Sequence, residues 1–402
     1  MLGALFIILL VPAIYCYLGY PLVMRWLAKS RFRAWKKDES HRPSISVILS
    51  AFNEEKSIEA CVLSLLDQDY PADKVEILVG SDGSSDATNE ILSSLAAENG
   101  RVRPYLFTDR RGKMSVLNDL VSKSKGEILM FVDADVTIDP ASFKAHVRHY
   151  ADPEVACVSG RLLLGDTSDG IAGSESEYLS LENKLRESES RVFATIGNFG
   201  CNYSLRKTEF QEFPIAAIHD DQFSVLQVLE RGKRTICDNE SISFEPVVVR
   251  TMADDFKRKS RNAGRGLRTV LMFPQMVSPS SGLPSLMIWS HKILRWITPF
   301  FLLAILVLGL LVQMLSATTL TAFNLILLVI AGVMVLGFLF EKANVKVPVV
   351  SHLYWFGVMN IAFAMGTLNY MLDKEPNLWV QSSRADHARD EITATEKEAV
   401  QL

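Results

Sequence analysis

The sequence lacks the features that mark several common classes of protein. Its 402 residues carry a formal net charge of −4. No basic stripe is interleaved with aromatic residues, so nucleic acid is not an expected partner. The five cysteines are scattered, without a CxxC pair or a spacing typical of metal ligands. An odd, dispersed set favours packing roles in a reducing compartment over a disulfide framework.

Charge is also absent from long stretches of the chain. Residues 1–24 contain no acid or base and are long enough to span a bilayer. No basic residue precedes them, so a cleaved signal peptide is not expected. Residues 25–43 are rich in lysine and arginine. The positive-inside rule therefore predicts an external N-terminus and a cytoplasmic basic linker over 25–43.

Three further spans are predicted within residues 296–372. Residues 296–340 are uncharged and about twice as long as one span, and the polar patch 316–319 divides them. This pattern predicts two helices with a tight external turn. The loop 341–346 carries two lysines, which favours the cytoplasmic side, and residues 347–372 form the next uncharged run.

The segments that flank these spans are less regular. Residues 269–295 are apolar but interrupted by prolines and a glycine, and uncovered backbone does not lie in lipid. We expect an interfacial or re-entrant segment, with His291 and Lys292 as anchors at the interface. The polar tail 373–402 is predicted to be disordered at its end, and a count of four spans places it outside.

Residues 44–268 form a block in which short apolar runs alternate with helix-like patterns. Residues 45–50, 75–79 and 128–132 are typical of buried strands. Amphipathic patterns follow at 54–66 and 86–97, and another precedes the third strand at 113–122. This alternation predicts an α/β domain with a mostly parallel sheet and helices on both faces.

Polar residues follow the predicted strands, where an open α/β sheet binds its ligands. Asp133 and Asp135 end the most apolar run, and carboxylates so spaced can hold a hard divalent cation that also takes phosphate oxygens. Acidic residues also form turns, which is the alternative. Asp82 follows the second strand, and its carboxylate could accept an imide N–H from a pyrimidine base. Lys113 could offset phosphate charge, or could be a solvated surface lysine.

Taken together, these motifs resemble the family 2 glycosyltransferases with a GT-A fold. The resemblance covers roughly residues 44–268, and its specificity lies in the combination and order of the motifs. The flanking spans resemble the membrane-embedded branch, which includes cellulose, hyaluronan and poly-N-acetylglucosamine synthases. The motifs are those at residues 46–55, 81–86, 112–118 and 131–135.

The resemblance implies a role for each matching residue. Asp82 would contact the uracil of a UDP-sugar, Asp135 would ligate Mg²⁺ or Mn²⁺, and Asp133 would touch the metal or the ribose. Asp221 would be the catalytic base, although Asp220 and Asp221 also suit the N-terminal cap of a helix. Further donor-binding residues would be Asn53, Glu54, Lys113, Arg258 and Arg261, and acceptor-binding residues Gly197, Asn198, Cys201 and Asp220.

One motif departs from the family pattern. Where processive synthases carry QxxRW, this chain has Arg258, retains a basic residue at Arg261 and has Asn262 in place of tryptophan. The missing aromatic ring removes a stacking platform for a growing sugar chain, which favours short products. The C-terminal bundle of spans favours a polymer.

For other polar residues we expect positions at the surface and no part in catalysis. His146 and His149 are expected at the surface. The alternating charges of residues 175–189 fit a solvated helix, with a role in shaping the acceptor site as the alternative.

The sequence thus predicts an inverting, metal-dependent transferase that moves a sugar from a UDP-sugar to a polysaccharide or lipid-linked acceptor. We expect it in the plasma (inner) membrane, with a cytoplasmic catalytic domain, membrane lipids as partners and room for an accessory export subunit. Alternatives are transfer of a single sugar to a lipid such as polyprenyl phosphate or ceramide, or a non-catalytic scaffold or transporter. The uncharged spans argue against an ion-coupled transporter.

Overall fold

The computed structural model describes residues 2–165, 170–216, 218–245, 251–315, 320–343, 345 and 347–374. At its centre lies an eight-stranded mixed sheet with the strand order β3-β2-β1-β4-β7-β6-β8-β5. The strands are β1 Ile45–Ala51, β2 Val75–Asp82, β3 Val102–Phe107, β4 Ile128–Asp133, β5 Thr137–Ile138, β6 Val155–Leu164, β7 Asn202–Arg206 and β8 Arg234–Glu245.

The first half of the sheet is parallel, as predicted. β1 lies between β2 and β4, and β3 extends the sheet beyond β2, all in the same direction. β7 then runs antiparallel to β4 and β6, whereas β6 and β8 are parallel. The α/β class with a mostly parallel sheet is therefore confirmed, with β7 and the edge strand β5 antiparallel to their neighbours.

Helices cover both faces of the sheet because its central strands are apolar on both sides. Ile48 and Phe131 face one core, and Val47 and Met130 face the other. The helices of this domain are α3 Ile58–Leu66, α4 Thr88–Glu98, α5 Lys113–Lys123, α6 Ser142–Val147, α7 Gly170–Val192, α8 Asp220–Glu230 and α9 Met252–Leu271.

Within the residues that the structure describes, four helices are long and apolar enough to cross a membrane. The candidate spans are Ile7–Ser30, Leu283–Met314, Asn324–Lys342 and Pro348–Met371. The first span comprises α1 Leu2–Ile14 and α2 Tyr20–Ser30, joined by a π-helical turn at Tyr15–Gly19. The others comprise α11 Leu283–Ile288, α12 Leu294–Leu315, α13 Leu320–Lys342 and α14 Pro348–Met371, and the short helix α10 Pro274–Val277 precedes α11.

The second span begins earlier than the sequence suggested. A π-helical turn at Trp289–Ile293 joins α11 to α12, so that residues 283–295 are continuous with the helix of the second candidate span. The turn predicted at 316–319 and most of the tail, residues 375–402, lie outside the described residues.

The amphipathic helix α9 connects the α/β domain with the apolar helices. A capping box between Thr251 and Asp254 begins it. On its apolar side, Gly366 of α14 lies so close that a Cβ atom there would be 1.9 Å from the carbonyl oxygen of Ser260. Gly266 of α9 similarly leaves room for the ring of Trp296 in α12. The two layers therefore pack with their backbones in close approach.

Candidate active site

The carboxyl ends of β2, β1 and β4 form one edge, and the predicted acidic residues lie there. Asp133 is the last residue of β4 and pairs in register with Ser50 of β1, and Asp82 ends β2 on the other side of β1. A cavity of about 190 Å³ opens at this edge. Its polar lining includes Glu54, Asp82, Lys113, Asp133, Asp135, Arg258 and Arg261.

A larger cavity, of about 470 Å³, adjoins the first one and extends towards the apolar helices. The two cavities share the side chains of Lys113, Asp133, Asp135, Arg258 and Arg261. The larger cavity adds Gly197, Asn198, Cys201, Asp220 and Asp221 to its lining. The structure thus brings together the residues assigned to metal, base and acceptor, with charged groups at the junction of the two cavities.

Lys113 is a partly buried cation held between two carboxylates, and not a solvated surface lysine. Its Nζ lies 2.9 Å from Asp133 Oδ1 and 3.1 Å from Asp220 Oδ1. These two carboxylates outweigh the effect of burial and raise the pKa of Lys113 well above its usual range. Asp220 also accepts a hydrogen bond of 3.1 Å from the Tyr203 hydroxyl. Its carboxylate therefore joins the sheet edge to α8.

Asp221, the next residue, faces the larger cavity. Burial raises its pKa above the ordinary 3.8, while Lys292 nearby acts in the opposite direction. His219 Nδ1 lies 3.9 Å from Asp221 Oδ1, and burial lowers the pKa of His219 to about 4, so this imidazole is neutral at pH 7. Asp221 therefore has the environment of a carboxylate with increased basicity.

Gly200 lies between the side chains of Asp221 and Asp133. A Cβ atom at Gly200 would lie 3.8 Å from both Asp133 Oδ2 and the Asp221 carboxyl carbon. The glycine thus leaves open space between the two acidic groups. A reacting atom at this point would contact the candidate base on one side and the acidic strand edge on the other.

Asp82, Asn53 and Glu54 make contacts that fix loops at the edge of the smaller cavity. The two oxygens of Asp82 accept hydrogen bonds from the backbone amides of Arg111 (2.7 Å) and Gly112 (2.8 Å). Asn53 accepts one from the Ser85 amide, and Glu54 accepts one from the Ser57 hydroxyl. Contact of Asp82 with a nucleotide base remains a prediction. The structure shows in addition that Asp82 holds the loop before α5.

Arg258 and Arg261 lie on α9 and reach both cavities. Arg258 forms ion pairs with Glu175 of α7 and, at 3.0 Å, with Asp255 of its own helix. These acids raise the pKa of the Arg258 guanidinium despite its burial. Arg258 is therefore held by an acid of α7 as well as by an acid of α9.

The predicted acceptor loop is tightly held. Asn198 Nδ2 donates to Cys157 Sγ at 3.2 Å, and Cys201 Sγ lies 3.4 Å from the Ser243 hydroxyl. Asn198 Oδ1 is buried and has no hydrogen-bond partner within the described part of the chain. Both residues line the larger cavity, and their contacts fix the loop to the sheet.

The interpretation of residues 175–189 as a solvated helix is wrong. Glu175, Glu182 and Glu189 repeat every seven residues, lie on one face of α7 and are at most 4% exposed. Glu182 and Glu189 flank His291, at 2.6 Å and 2.7 Å from its two ring nitrogens. The seven-residue spacing of acids was the signal in the sequence that could have identified this buried face.

The surface assignments of three histidines are also corrected. His291 is fully buried between the two glutamates and does not anchor an interface. His146 bonds to Ser204 and Asn202, and His149 bonds to Asp238. Both lie in the interior because α6 packs against β6 and β8, and the turn that follows it packs against β6.

The strand-edge carboxylates fit a divalent cation that shares its coordination with a substrate. Among the described residues, no group of three or more His, Cys, Asp or Glu side chains could hold a metal ion by itself. Asp133 and Asp135 supply carboxylate oxygens at the junction of the cavities. Mg²⁺ and Mn²⁺ typically combine one or two such carboxylates with substrate phosphates and water.

Comparison with known proteins agrees with this architecture. Residues 46–210 match the model of the glycosyl transferase family 2. The solved structure of the mannosyltransferase PcManGT from Pyrobaculum calidifontis, in complex with GDP-Man and Mn²⁺, has a TM-score of 0.71 over 93% of this chain and 100% of that one. Its sequence identity is 23%, and the likeness establishes the GT-A type of fold.

Curated relatives match over shorter segments. Glycosyltransferase AglD of Haloferax volcanii is 33% identical over 30% of this chain and 20% of the relative. AglE of the same organism is 26% identical over 39% and 52% of the respective chains. The poly-beta-1,6-N-acetyl-D-glucosamine synthase of Staphylococcus epidermidis is 28% identical over 39% and 37%. The matched segment thus spans a fifth to about half of these relatives.

Proposed function

We propose that this protein is a membrane-associated, inverting glycosyltransferase that moves a sugar from a nucleotide diphosphate sugar to an acceptor hydroxyl. The observation that carries the proposal is the placement of Asp221 and Asp133 on either side of the open space at Gly200. A base and a phosphate-binding edge that face one gap are what direct displacement at a sugar carbon requires.

The donor occupies the smaller cavity and the junction. The nucleoside lies near Asp82, and the diphosphate lies where Lys113, Arg258 and Arg261 line both cavities. At this junction Asp135 and Asp133 would hold a divalent cation, which would neutralise charge on the diphosphate. Uridine is the proposed nucleoside of the donor, and guanosine is the competing choice because PcManGT was solved with GDP-Man.

The acceptor enters through the larger cavity. Asp221 takes the proton of the acceptor hydroxyl as its oxygen bonds to the anomeric carbon. The bond from that carbon to the diphosphate oxygen breaks, and the nucleotide leaves with the electron pair. Attack opposite the leaving group inverts the anomeric configuration, so an α-linked donor gives a β-linked product. Positioned acid–base groups of this kind contribute about 10²–10⁴ in rate.

The acceptor is proposed to be a polysaccharide or a lipid-linked glycan at the plasma membrane, with catalysis on the cytoplasmic side. Support comes from the larger cavity, which is lined by His291, Lys292, Arg295 and Trp296 in the first half of the candidate span Leu283–Met314. An acceptor tethered to the membrane reaches Asp221 without leaving the bilayer.

The test uses the full chain in nanodiscs with UDP-glucose, UDP-N-acetylglucosamine and GDP-mannose, each with Mg²⁺ or Mn²⁺. We expect nucleotide release from one donor, lost with a chelator and reduced at least about 100-fold in Asp221→Asn. Asp73→Asn, at an exposed turn remote from the site, is the matched control. If no nucleotide sugar bound under any of these conditions, the proposal would be wrong.

A further inference from the structure

His219 precedes the acidic pair at the start of α8, and the proposed transfer does not use it. It lines the larger cavity together with Asp221. The carbonyl oxygen of His219 accepts a hydrogen bond from the Phe223 amide at 2.9 Å, in the first turn of α8. The His219 amide donates to the hydroxyl of Thr269 in α9 at 3.1 Å. The backbone at His219 is therefore fixed from two helices.

One contact of the imidazole identifies its tautomer. Nε2 of His219 lies 3.1 Å from the backbone carbonyl oxygen of Asn262 in α9. A carbonyl oxygen only accepts hydrogen bonds, so Nε2 carries the ring proton. In a neutral imidazole the other nitrogen, Nδ1, then has a lone pair and accepts. Nδ1 has no hydrogen-bond partner within the part of the chain that the structure describes.

The surroundings of His219 keep this ring neutral. Burial is the main cause that lowers its pKa to about 4. The cations of Arg265 in α9 and Lys292 in the second candidate span act in the same direction, against the Asn262 carbonyl and the charge of Asp220. At pH 7 the ring therefore has one proton, on Nε2, and Nδ1 stays an acceptor.

The lone pair of Nδ1 lies beside the candidate base. Nδ1 is 3.9 Å from Asp221 Oδ1, which is too far for a hydrogen bond in this state and within reach of a rotation of the carboxyl group. An ionised carboxylate only accepts, so it has no proton to give to Nδ1. A protonated Asp221 gains an O–H group that Nδ1 can accept. The contact thus distinguishes the two protonation states of Asp221.

Other groups favour the ionised state of Asp221 before the reaction. Burial raises its pKa, whereas the amide of the next residue and three cations lower it. These cations are Lys292, Lys113 of α5 and Arg186 of α7. His219 is the neutral acceptor in this set, and it is the group that favours the protonated carboxyl group by a direct contact.

We propose that His219 is a positioning residue of the transfer, and that its Nδ1 accepts a hydrogen bond from Asp221 as Asp221 takes the proton of the acceptor hydroxyl. This inference rests on the proposed transferase function. A hydrogen bond made only to the protonated carboxyl group favours proton uptake. The proton stays on Asp221 and the imidazole stays neutral, so no bond forms or breaks beyond those of the transfer. The contact is made in the transition state and not in the ground state, which is the condition for raising kcat.

The test compares two substitutions that remove Nδ1 and differ in the bond to Asn262. His219→Gln places an amide N–H near the position of Nε2, so it can keep the bond to the Asn262 carbonyl without an acceptor at Nδ1. His219→Phe keeps the ring and lacks both groups. With the full chain in nanodiscs and its donor, we expect kcat to fall about fivefold to tenfold in both variants, as for one lost hydrogen bond. We expect KM to be unchanged, and the acid limb of the kcat profile to lie at lower pH than in the wild type.

A purely structural role gives a different result. If His219→Gln retained the wild-type kcat and acid limb, the bond to Asn262 would be the whole function of the ring and the proposal would be overturned. His41→Gln, in the linker before β1, is the matched control and should behave as the wild type. Nucleotide affinity and Tm report whether each variant is folded. A wild-type chain that transferred no sugar would instead reject the transferase function itself.

A second measurement uses the unsubstituted chain and so does not depend on the folding of a variant. ¹⁵N NMR of histidine-labelled protein reads the tautomer of each ring. ¹³C at the asparagine carbonyls identifies His219 by its contact with Asn262. We expect a protonated Nε2 and an unprotonated Nδ1 at neutral pH. A proton on Nδ1, or on both nitrogens, would leave no acceptor beside Asp221 and would overturn the proposal.

Discussion

The ammonium of Lys113 lies 3.1 Å from the carboxylate of Asp220, and this contact ties the first helical turn of α5 to that of α8. Lys113 also reaches Asp133, so that one cation holds the strand edge and the helix that carries Asp221. The adjacent acids therefore differ in their contacts. Asp220 is fixed by Lys113 and Tyr203, and Asp221 faces the cavity.

Lys113→Met should weaken both the fold and the donor site. It leaves Asp133 and Asp220 without their shared cation, and removing one partner of a buried ion pair costs about 3–5 kcal/mol. Because the Lys113 side chain is 25% exposed, we expect about 2 kcal/mol, measured by unfolding in detergent. Lys123→Met, at the exposed end of the same helix, should cost little. An equal loss in both variants would contradict this assignment.

The rate of transfer should fall as the pH drops through the raised pKa of Asp221. Only the ionised carboxylate accepts a proton, so activity is complete above this pKa and is lost below it. Because burial raises the pKa above 3.8, the loss begins at a higher pH than for a free aspartate. A profile of kcat against pH, with nucleotide binding followed in parallel, checks this. A flat profile down to pH 4 would reject Asp221 as the base.

Acid should also destabilise the fold through His146. Burial lowers the pKa of His146 to about 4 from an ordinary 6.5. Below pH 6.5 the unfolded chain binds a proton that the folded chain excludes. Stability is therefore complete above pH 6.5 and declines towards pH 4, by up to about 3 kcal/mol. Thermal unfolding against pH should show a shallower slope in His146→Asn. An unchanged slope would mean that a group other than His146 causes the loss of stability in acid.

Gly366→Ala should separate α14 from α9. The added Cβ would lie 1.9 Å from the Ser260 carbonyl oxygen, and overpacking of this kind costs about 1–3 kcal/mol. Since α9 carries Arg258 and Arg261, we expect weaker donor binding together with a lower Tm. Gly332→Ala in α13 meets no described atom within 4 Å and is the matched control. Equal Tm values for the two variants would show that the close packing is not needed.

The sequence predicted the parts of the site that depend on local pattern. An apolar strand followed by Asp133 and Asp135 can be recognised from a few residues, and so can the strand that precedes Asp82. Parallel pairing then places their ends at one edge.

Contacts between distant segments could not be predicted in this way. Glu182 and His291 are separated by 109 residues, and Lys113 and Asp220 by 107, so no periodicity links them. The charges of α7 were read as solvated because charged faces usually meet water. Here they meet the ends of apolar helices, which bring their own basic groups. The antiparallel β7 was missed for a similar reason, since strand direction depends on partners distant in the chain.

The close approach of Gly366 to Ser260 also fixes the position of α9 along the apolar helices. Helix α9 bears the arginines of the junction on one side and the apolar helices on the other, with little backbone freedom between them. In a bilayer that surrounds these helices, the gap at Gly200 stays at a constant depth relative to the headgroups. Under the proposed function, an acceptor held in the membrane can therefore react only if its hydroxyl stands at that depth.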